Sequence, residues 1–368
     1  MFGLTADSAA LLGAHDELEF FERQAAVYLP DHSLFVPYPI QNHLDDLPPN
    51  LASGIILPPT GSPTAGKRLF ETSMKTWLLA RFGRPLCELF FFPFHERYTC
   101  GLYPELQAQD QAKSPSMSRG SANTAVGYNT KFAYPKRGLD HLFASLAGQC
   151  SIEYNARVTG IDIRTRVLSL SNGDQIPYSR LYTTLPLHHV MRLTGLGDPR
   201  GEDPALSVEV FNIGARRGAH CPPHHWVYVP FSRSGFHRIG FYSNVTSNFL
   251  PESVRQAGTH VSLYVECCAP EQTVPGAGKF MGSRREEVVN ELMEWGFIEF
   301  PEVVDVSRVG VGYTWSWLKS EWKTESLRRL QAEGITQAGR YGRWEFQGMA
   351  DSLAEGLKLG AEIMANET

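Results

Sequence analysis

Apolar positions from Ser8 to Val27 recur at helical spacing and run into Tyr28-Leu29-Pro30, which predicts an opening helix. Leu34-Phe35-Val36-Pro37-Tyr38-Pro39-Ile40-Gln41-Asn42 then reads as an extended segment, its prolines pointing to a sheet edge or a cavity wall. Phe70 to Phe82 is helical in pattern, and the aromatic block from Phe90 to Tyr98 is closed by His95, Glu96 and Arg97. Residues 105–130 are polar and small, with Lys113-Ser114-Pro115-Ser116 as a turn. A helix is predicted over Leu139–Ala147. Two alternating strands follow, Ser151–Asp162 and Val167–Leu170, with Asn172-Gly173-Asp174 marking a hairpin. Arg180–Pro186 reads as a buried strand that leads into a helix bearing His188 and His189. Val208–Ile213, Trp226–Val229, His237–Tyr242 and His260–Glu266 alternate as strands of an antiparallel sheet. Arg284–Trp295 is a helix, Val303–Tyr313 a strand, and Ile335–Ala338 a short strand before a turn and a helix beginning near Met349.

This order is mixed. The α/β features at 132–207 and 335–368 predict one discontinuous domain, with a substrate or cap domain of antiparallel sheet formed by 1–131 and 208–334. The 368 residues, 42% hydrophobic and 20% charged, suit about two domains with a sizeable core. A net charge of −5 shows no basic excess, which argues against nucleic acid as a partner. No apolar run is long enough for a membrane span, and the first residues lack the pattern of a signal peptide. Six cysteines without CxxC spacing predict reduced thiols in a cytoplasmic protein, with Cys267 and Cys268 packing at a strand end. The oligomeric state is left open.

Chemistry gathers at a few places. Gly339-Arg340-Tyr341-Gly342-Arg343-Trp344-Glu345-Phe346-Gln347-Gly348-Met349-Ala350-Asp351 is a glycine-rich turn before a helix. Such a helix start offers backbone N–H groups to an anionic or electron-rich group. Arg238, on a strand between apolar neighbours, either enters a cavity or faces solvent in an ion pair. Tyr313, Trp315 and Trp317 alternate and are expected to share a face, as an aromatic wall or as core. His95, Glu96 and Arg97 are candidates for a pocket mouth. His220-Cys221-Pro222-Pro223-His224-His225 is rich in metal donors but reads as a proline turn with surface histidines, so no metal site is assigned. His188 and His189 are expected to diverge by ~100° on their helix and to serve packing and surface.

Tyr134-Pro135-Lys136-Arg137-Gly138-Leu139, Leu181-Tyr182-Thr183-Thr184-Leu185-Pro186 and Gly339–Asp351 occur in that order. Together they resemble the later motifs of FAD-dependent amine oxidase and protoporphyrinogen oxidase-like proteins, including the UDP-galactopyranose mutase-like branch. Trp226–Pro230 and His237–Asn244 are similar to that branch's substrate sheet. The resemblance implies an α/β fold of FAD/NAD(P)-binding, Rossmann type with an inserted antiparallel substrate domain. It implies FAD as cofactor, with Val158, Thr183, Thr184, Gly339, Arg340, Gly348, Met349 and Ala350 beside it. It also implies a small-molecule substrate near Arg238, Tyr313, Trp315 and Gln347. Catalytic residues are not assigned. Gln347 stands where the mutases carry a tyrosine for the nucleotide diphosphate, a departure from that branch.

A dinucleotide-binding fold opens with strand, G-x-G-x-x-G and helix, and nothing before Phe132 fits that pattern. Gly195–Gly201 has the wrong spacing and reads as a loop. The expectation is therefore a chain lacking its first βαβ unit, with flavin binding in doubt. Either the protein starts further upstream or it is a cofactor-poor paralogue. The leading expected function is an FAD-dependent oxidoreductase that moves hydride from a small organic substrate to flavin. The alternatives are a mutase-like flavoenzyme on a nucleotide sugar and a non-catalytic binding protein.

Overall fold

The structure, a computed structural model, describes residues 1–57, 71–108, 130–198, 201–271 and 281–365. The expected turn at Lys113–Ser116 and most of the 105–130 loop lie outside these residues. The chain forms two compact units.

The first unit comprises Met1–Glu22, Asn129–Pro204 and Ser320–Thr368. Helix α1 (Ala6–Gly13) is capped by Thr5, whose hydroxyl accepts the Ser8 N–H at 3.1 Å. Strand β1 (Leu18–Glu22) pairs antiparallel with β4 (Lys131–Pro135). The buried Asp16 carboxylate accepts the Arg137 backbone N–H and its Nε–H, both at 3.2 Å. Residues 1–22, expected with the substrate sheet, are thus held here by strand pairing. Leu12, Met1 and Leu142 of α5 (Leu139–Ala147) form a small core, against which Leu353 packs. Strands β5 (Val158–Asp162), β6 (Val167–Leu170) and β7 (Gln175–Pro177) form a meander turning at Asn172, whose Oδ1 accepts the Asp174 N–H at 3.1 Å. Strand β8 (Leu181–Thr183) pairs in parallel with β14 (Ile335–Gln337). It is not the buried strand expected, because Tyr182 is 41% exposed and the partner of β8 among the described residues is β14. Helices α6 (Leu187–Leu193), α9 (Trp322–Ala332), α10 (Gly339–Gly342) and α11 (Met349–Ala365) complete the unit. Buried Trp344 sits between His188 and Trp322, at ring distances of 5.0 and 5.2 Å.

The second unit comprises Arg23–Tyr128 and Ala205–Lys319. Its seven-stranded sheet has the order β13-β9-β12-β11-β10-β2-β3. These strands are β2 (Ala25–Leu29), β3 (Leu34–Pro37), β9 (Ala205–Arg217), β10 (Trp226–Tyr228), β11 (Arg238–Phe241), β12 (His260–Pro270) and β13 (Ile298–Thr314). Pairing is antiparallel except between β10 and β2. The helix predicted to Val27 ends at Gly13, and Ala25–Leu29 is a strand buried at every position. A strand covered on both faces shows an unbroken apolar run, which has no period of two to betray it. β3 is an edge, where Pro37 leaves no inner ladder bond unmade.

One face of the sheet carries Phe211, Ile213, Val227, Ile239, Phe241 and Val265, packed on Val288 and Leu292 of α8 (Met281–Glu294). The other packs Val27, Leu29 and Val208 against α3 (Met74–Leu86) and the Phe90-Phe91 turn leading into α4 (Phe92–Tyr98). Two short helices, α2 (Pro49–Ala52) and α7 (Tyr242–Val245), lie in the connections. All six cysteines are free thiols, and Cys267 and Cys268 are both buried in β12.

Candidate functional site

In the second unit the site grows from strand alternation. Ile239 and Phe241 enter the apolar core, so Arg238 and Gly240 take the opposite face. Register places Arg238 between Tyr228 and Glu266, and Gly240 opposite Tyr264. A Cβ on Gly240 would lie 2.0 Å from Tyr264 Cε1, so only glycine lets that ring lie across the strand. The Arg238 guanidinium sits 5.9 Å from the Tyr264 ring centre and donates to Glu266 Oε1. Tyr313 Oη donates to Glu266 Oε2 at 3.3 Å, and His237 Nε2 lies 3.5 Å from the same oxygen. From α4, the Tyr98 ring meets Tyr313 at 4.6 Å, His237 at 5.1 Å and Trp315 at 5.3 Å. Phe94 packs edge-on against Tyr228 at 5.5 Å.

Burial works against ionisation of Glu266, but Arg238 and His237 outweigh it and hold the carboxyl at about 2. Burial lowers His237 against the pull of Glu266, so its imidazole is neutral at pH 7. Burial also raises the Tyr264 and Tyr313 phenols, which stay protonated and able to donate. The Arg238 side chain is 29% exposed, and its Nε–H has no partner among the described residues. The result is an ion pair of nearly zero net charge among phenol hydroxyls and aromatic faces. That combination suits a polar, hydroxyl-bearing ligand.

Arg238, Tyr313 and Trp315 are therefore brought together. β13 ends at Thr314, and beyond it Trp317 bridges to Leu106 and packs with Tyr313 and Trp315 in the same core cluster, the core alternative for this aromatic run. His95 and Arg97 do not form a pocket mouth. His95 Nδ1 is 2.6 Å from the Phe91 carbonyl, and Arg97 donates to the carbonyls of Ser232 and Pro93. His225 Nδ1 accepts the Gln24 N–H at 3.3 Å and His224 stacks on Phe35 at 5.3 Å, which gives these rings packing duties. In the first unit, the rings of His188 and His189 meet at 4.2 Å instead of diverging, since side-chain torsions offset the helical rotation.

The residues expected around a cofactor lie in the first unit. Ala338 N–H donates to the Thr183 carbonyl at 3.0 Å, joining the end of β8 to the turn after β14. Gly339 takes a φ of 73°, and a Cβ there would stand 3.8 Å from Thr184 Cγ2. Gly342 is tighter, since its Cβ would meet Gln337 Oε1 at 2.8 Å and the Thr183 carbonyl at 3.1 Å. Val158 belongs to the separate β5-β6-β7 meander, paired with Leu170. Arg340 lies over the Phe346 ring at 4.8 Å and the Tyr341 ring at 5.6 Å.

Two of the donors expected beside a cofactor are answered by carboxylates. Gly339 N–H donates to Glu355 Oε2 and Gly348 N–H to Asp351 Oδ2, each at 2.8 Å. Gln347 Nε2 also donates to Glu355, at 3.2 Å, so Gln347 stands in this cradle and not on the substrate sheet. Met349 and Ala350 begin α11. As folded, these two backbone donors are therefore taken by carboxylates of the same unit.

Sequence reading missed Glu266, His237, Tyr264 and Tyr98, and also Glu355 and Arg343. Alternation could have placed Tyr264 and Glu266 on one strand face. Their meeting with Arg238 needed the register.

No known family model matches the sequence. A solved structure of reduced UDP-galactopyranose mutase matches at TM-score 0.81 and 16% identity, covering 99% of this chain and 82% of that one. Cyclohexylamine oxidase from Brevibacterium oxydans IH-35A matches at TM-score 0.60 and 12% identity, over 100% of this chain and 87% of that one. A putrescine oxidase double mutant, redesigned in cofactor binding, matches at 0.59 and 14%, over 99% and 87%. In fold, this chain is therefore similar to a UDP-galactopyranose mutase and to two amine oxidases.

Proposed function

We propose that the protein is a flavin-family enzyme that handles a nucleotide sugar on the Arg238 face of its second unit. The observation that carries this reading is Arg238 itself, partly exposed among Tyr228, Tyr264 and Tyr313 and held on one side by Glu266. Glu266 fixes the guanidinium while leaving donors for a sugar or phosphate oxygen. The likeness to the mutase at TM-score 0.81, against 0.60 and 0.59 for the two oxidases, supports this branch. Hydride transfer from an amine or alcohol to flavin is the second reading, supported by those oxidases.

The test is calorimetric titration of the purified chain with UDP-galactose, with and without added FAD. Binding that weakens at least tenfold in Arg238→Ala is expected; an affinity indifferent to Arg238 overturns the assignment. Anaerobic bleaching of flavin by amines or alcohols, with no binding of UDP-galactose, decides for the oxidoreductase. A chain that binds neither flavin nor nucleotide sugar is the non-catalytic protein.

A further inference from the structure

Strand β13 has β9 on one side and, among the described residues, no strand on the other. A free edge presents unpaired N–H and C=O groups, and bulges and prolines are the usual means of blunting it. β13 carries those devices toward its two ends, where the register shifts between Pro301 and Val303 and between Val309 and Tyr313. Between the shifts, Val303-Val304-Asp305-Val306-Ser307-Arg308-Val309 pairs with β9 without interruption. Val304 and Val306 pack on the apolar core of the sheet, so Val303, Asp305, Ser307 and Val309 take the other face. There Val303 is 61% and Val309 43% exposed, two β-branched side chains left in water at the ends of the run. Asp305 and Ser307 between them are exposed as well.

This run is complementary to itself. Laid antiparallel on a second copy about a twofold axis at Val306, it pairs all seven of its residues, and the irregularities at both ends stop the pairing there. Val303 of each chain then faces Val309 of the other, Asp305 faces Ser307, Arg308 faces Val304, and Val306 meets its own copy. The exposed valines cover one another, and each Asp305 carboxylate has a hydroxyl donor opposite. Moving the axis to Asp305 would set two carboxylates directly opposite, and moving it to Ser307 would set Asp305 against Val309. We infer that the free edge of β13 is an isologous dimer interface, occupied by a second copy of this chain through Val303–Val309. The two seven-stranded sheets then run on as one, with both Arg238 faces on the same side. The inference goes beyond the ligand reading of that face and does not depend on it.

The experiment is sedimentation equilibrium of the full chain at rising concentration, with amide hydrogen exchange read on the same samples. The parent is expected to reach the mass of two chains, and the amides of Val303–Val309 to gain protection as the dimer fills. Val303→Lys with Val309→Lys sets like charges opposite at both ends of the run and is expected to weaken the dimer at least tenfold. Val303→Lys with Val309→Glu sets unlike charges at the same places and is expected to restore it. A parent that stays at the mass of one chain overturns the inference. A dimer untouched by the paired lysines places the interface elsewhere and overturns it too. Failure of the lysine–glutamate variant to restore the dimer refutes the register. Should the variants fail to fold, exchange of the parent decides: protection of Val303–Val309 that does not rise with concentration overturns the pairing.

Discussion

Replacing Glu266 by Gln tests the electrostatic centre of the second unit. The Glu266 side chain is 11% exposed and its carboxyl is held at about 2 rather than near an ordinary 4.5. At ~1.4 kcal/mol per tenfold change in acid strength, that difference corresponds to about 3 kcal/mol of native-state stability at pH 7. The figure agrees with the ~3–5 kcal/mol for breaking a buried pair by removing one partner, here leaving Arg238 without its counter-ion. The sign follows from the lowered folded-state value. The contribution is fully present above about 4.5, where the unfolded carboxyl ionises, and is lost as pH falls toward about 2. Urea titration followed by tryptophan emission reads this unit, since five of the 7 tryptophans (Trp77, Trp226, Trp295, Trp315 and Trp317) lie in it. Glu266→Gln should lower stability by about 3 kcal/mol at pH 7, and the gap to the parent should close as the pH approaches 2. A loss below about 1 kcal/mol, of the size expected for an exposed pair, would refute the reasoning. So would a loss that persists unchanged at low pH.

His95 makes an opposite use of burial. Burial lowers it to about 4, partly offset by the Phe91 carbonyl, so protonation favours the unfolded chain as pH falls from about 6.5 to 4. The parent should lose about 3 kcal/mol across that window through this residue, and His95→Gln should flatten the pH dependence of the urea midpoint there. Gly240→Ala puts a methyl 2.0 Å from Tyr264 and should destabilise by ~1–3 kcal/mol in thermal unfolding; a variant as stable as the parent would show that the ring swings aside freely. Trp344→Ala removes a ring 2% exposed between His188 and Trp322 and should cost ~3–5 kcal/mol. Faster amide exchange in α6 and α9 checks it, and unchanged protection there would count against the packing role.

Several elements were legible because they depend on neighbours in sequence. Helix α5 spans Leu139–Ala147 as read, α11 begins at Met349, and the Asn172 hairpin turns where its chemistry demands. The strands around Arg238 and Glu266 declared themselves by a period of two. Strand β2 did not, because a run buried on both sides has no polar alternation to report. The mixed α/β class followed from the order of the elements, and the comparison structures share this fold.

The candidate sites divide along the same line. Residue types and local alternation pointed to Arg238, Tyr313 and the Gly339 turn without any coordinates. Their partners are another matter, because hydrogen bonds join groups that register and packing bring together across long separations. Arg238 meets Glu266 at a separation of 28 residues, and Gly339 meets Glu355 at 16. A chain of letters gives each charge its sign and its strand or helix. Which opposite charge it faces, and so whether an arginine is open to a ligand or a glycine N–H is already taken, is set by how the strands and helices pack.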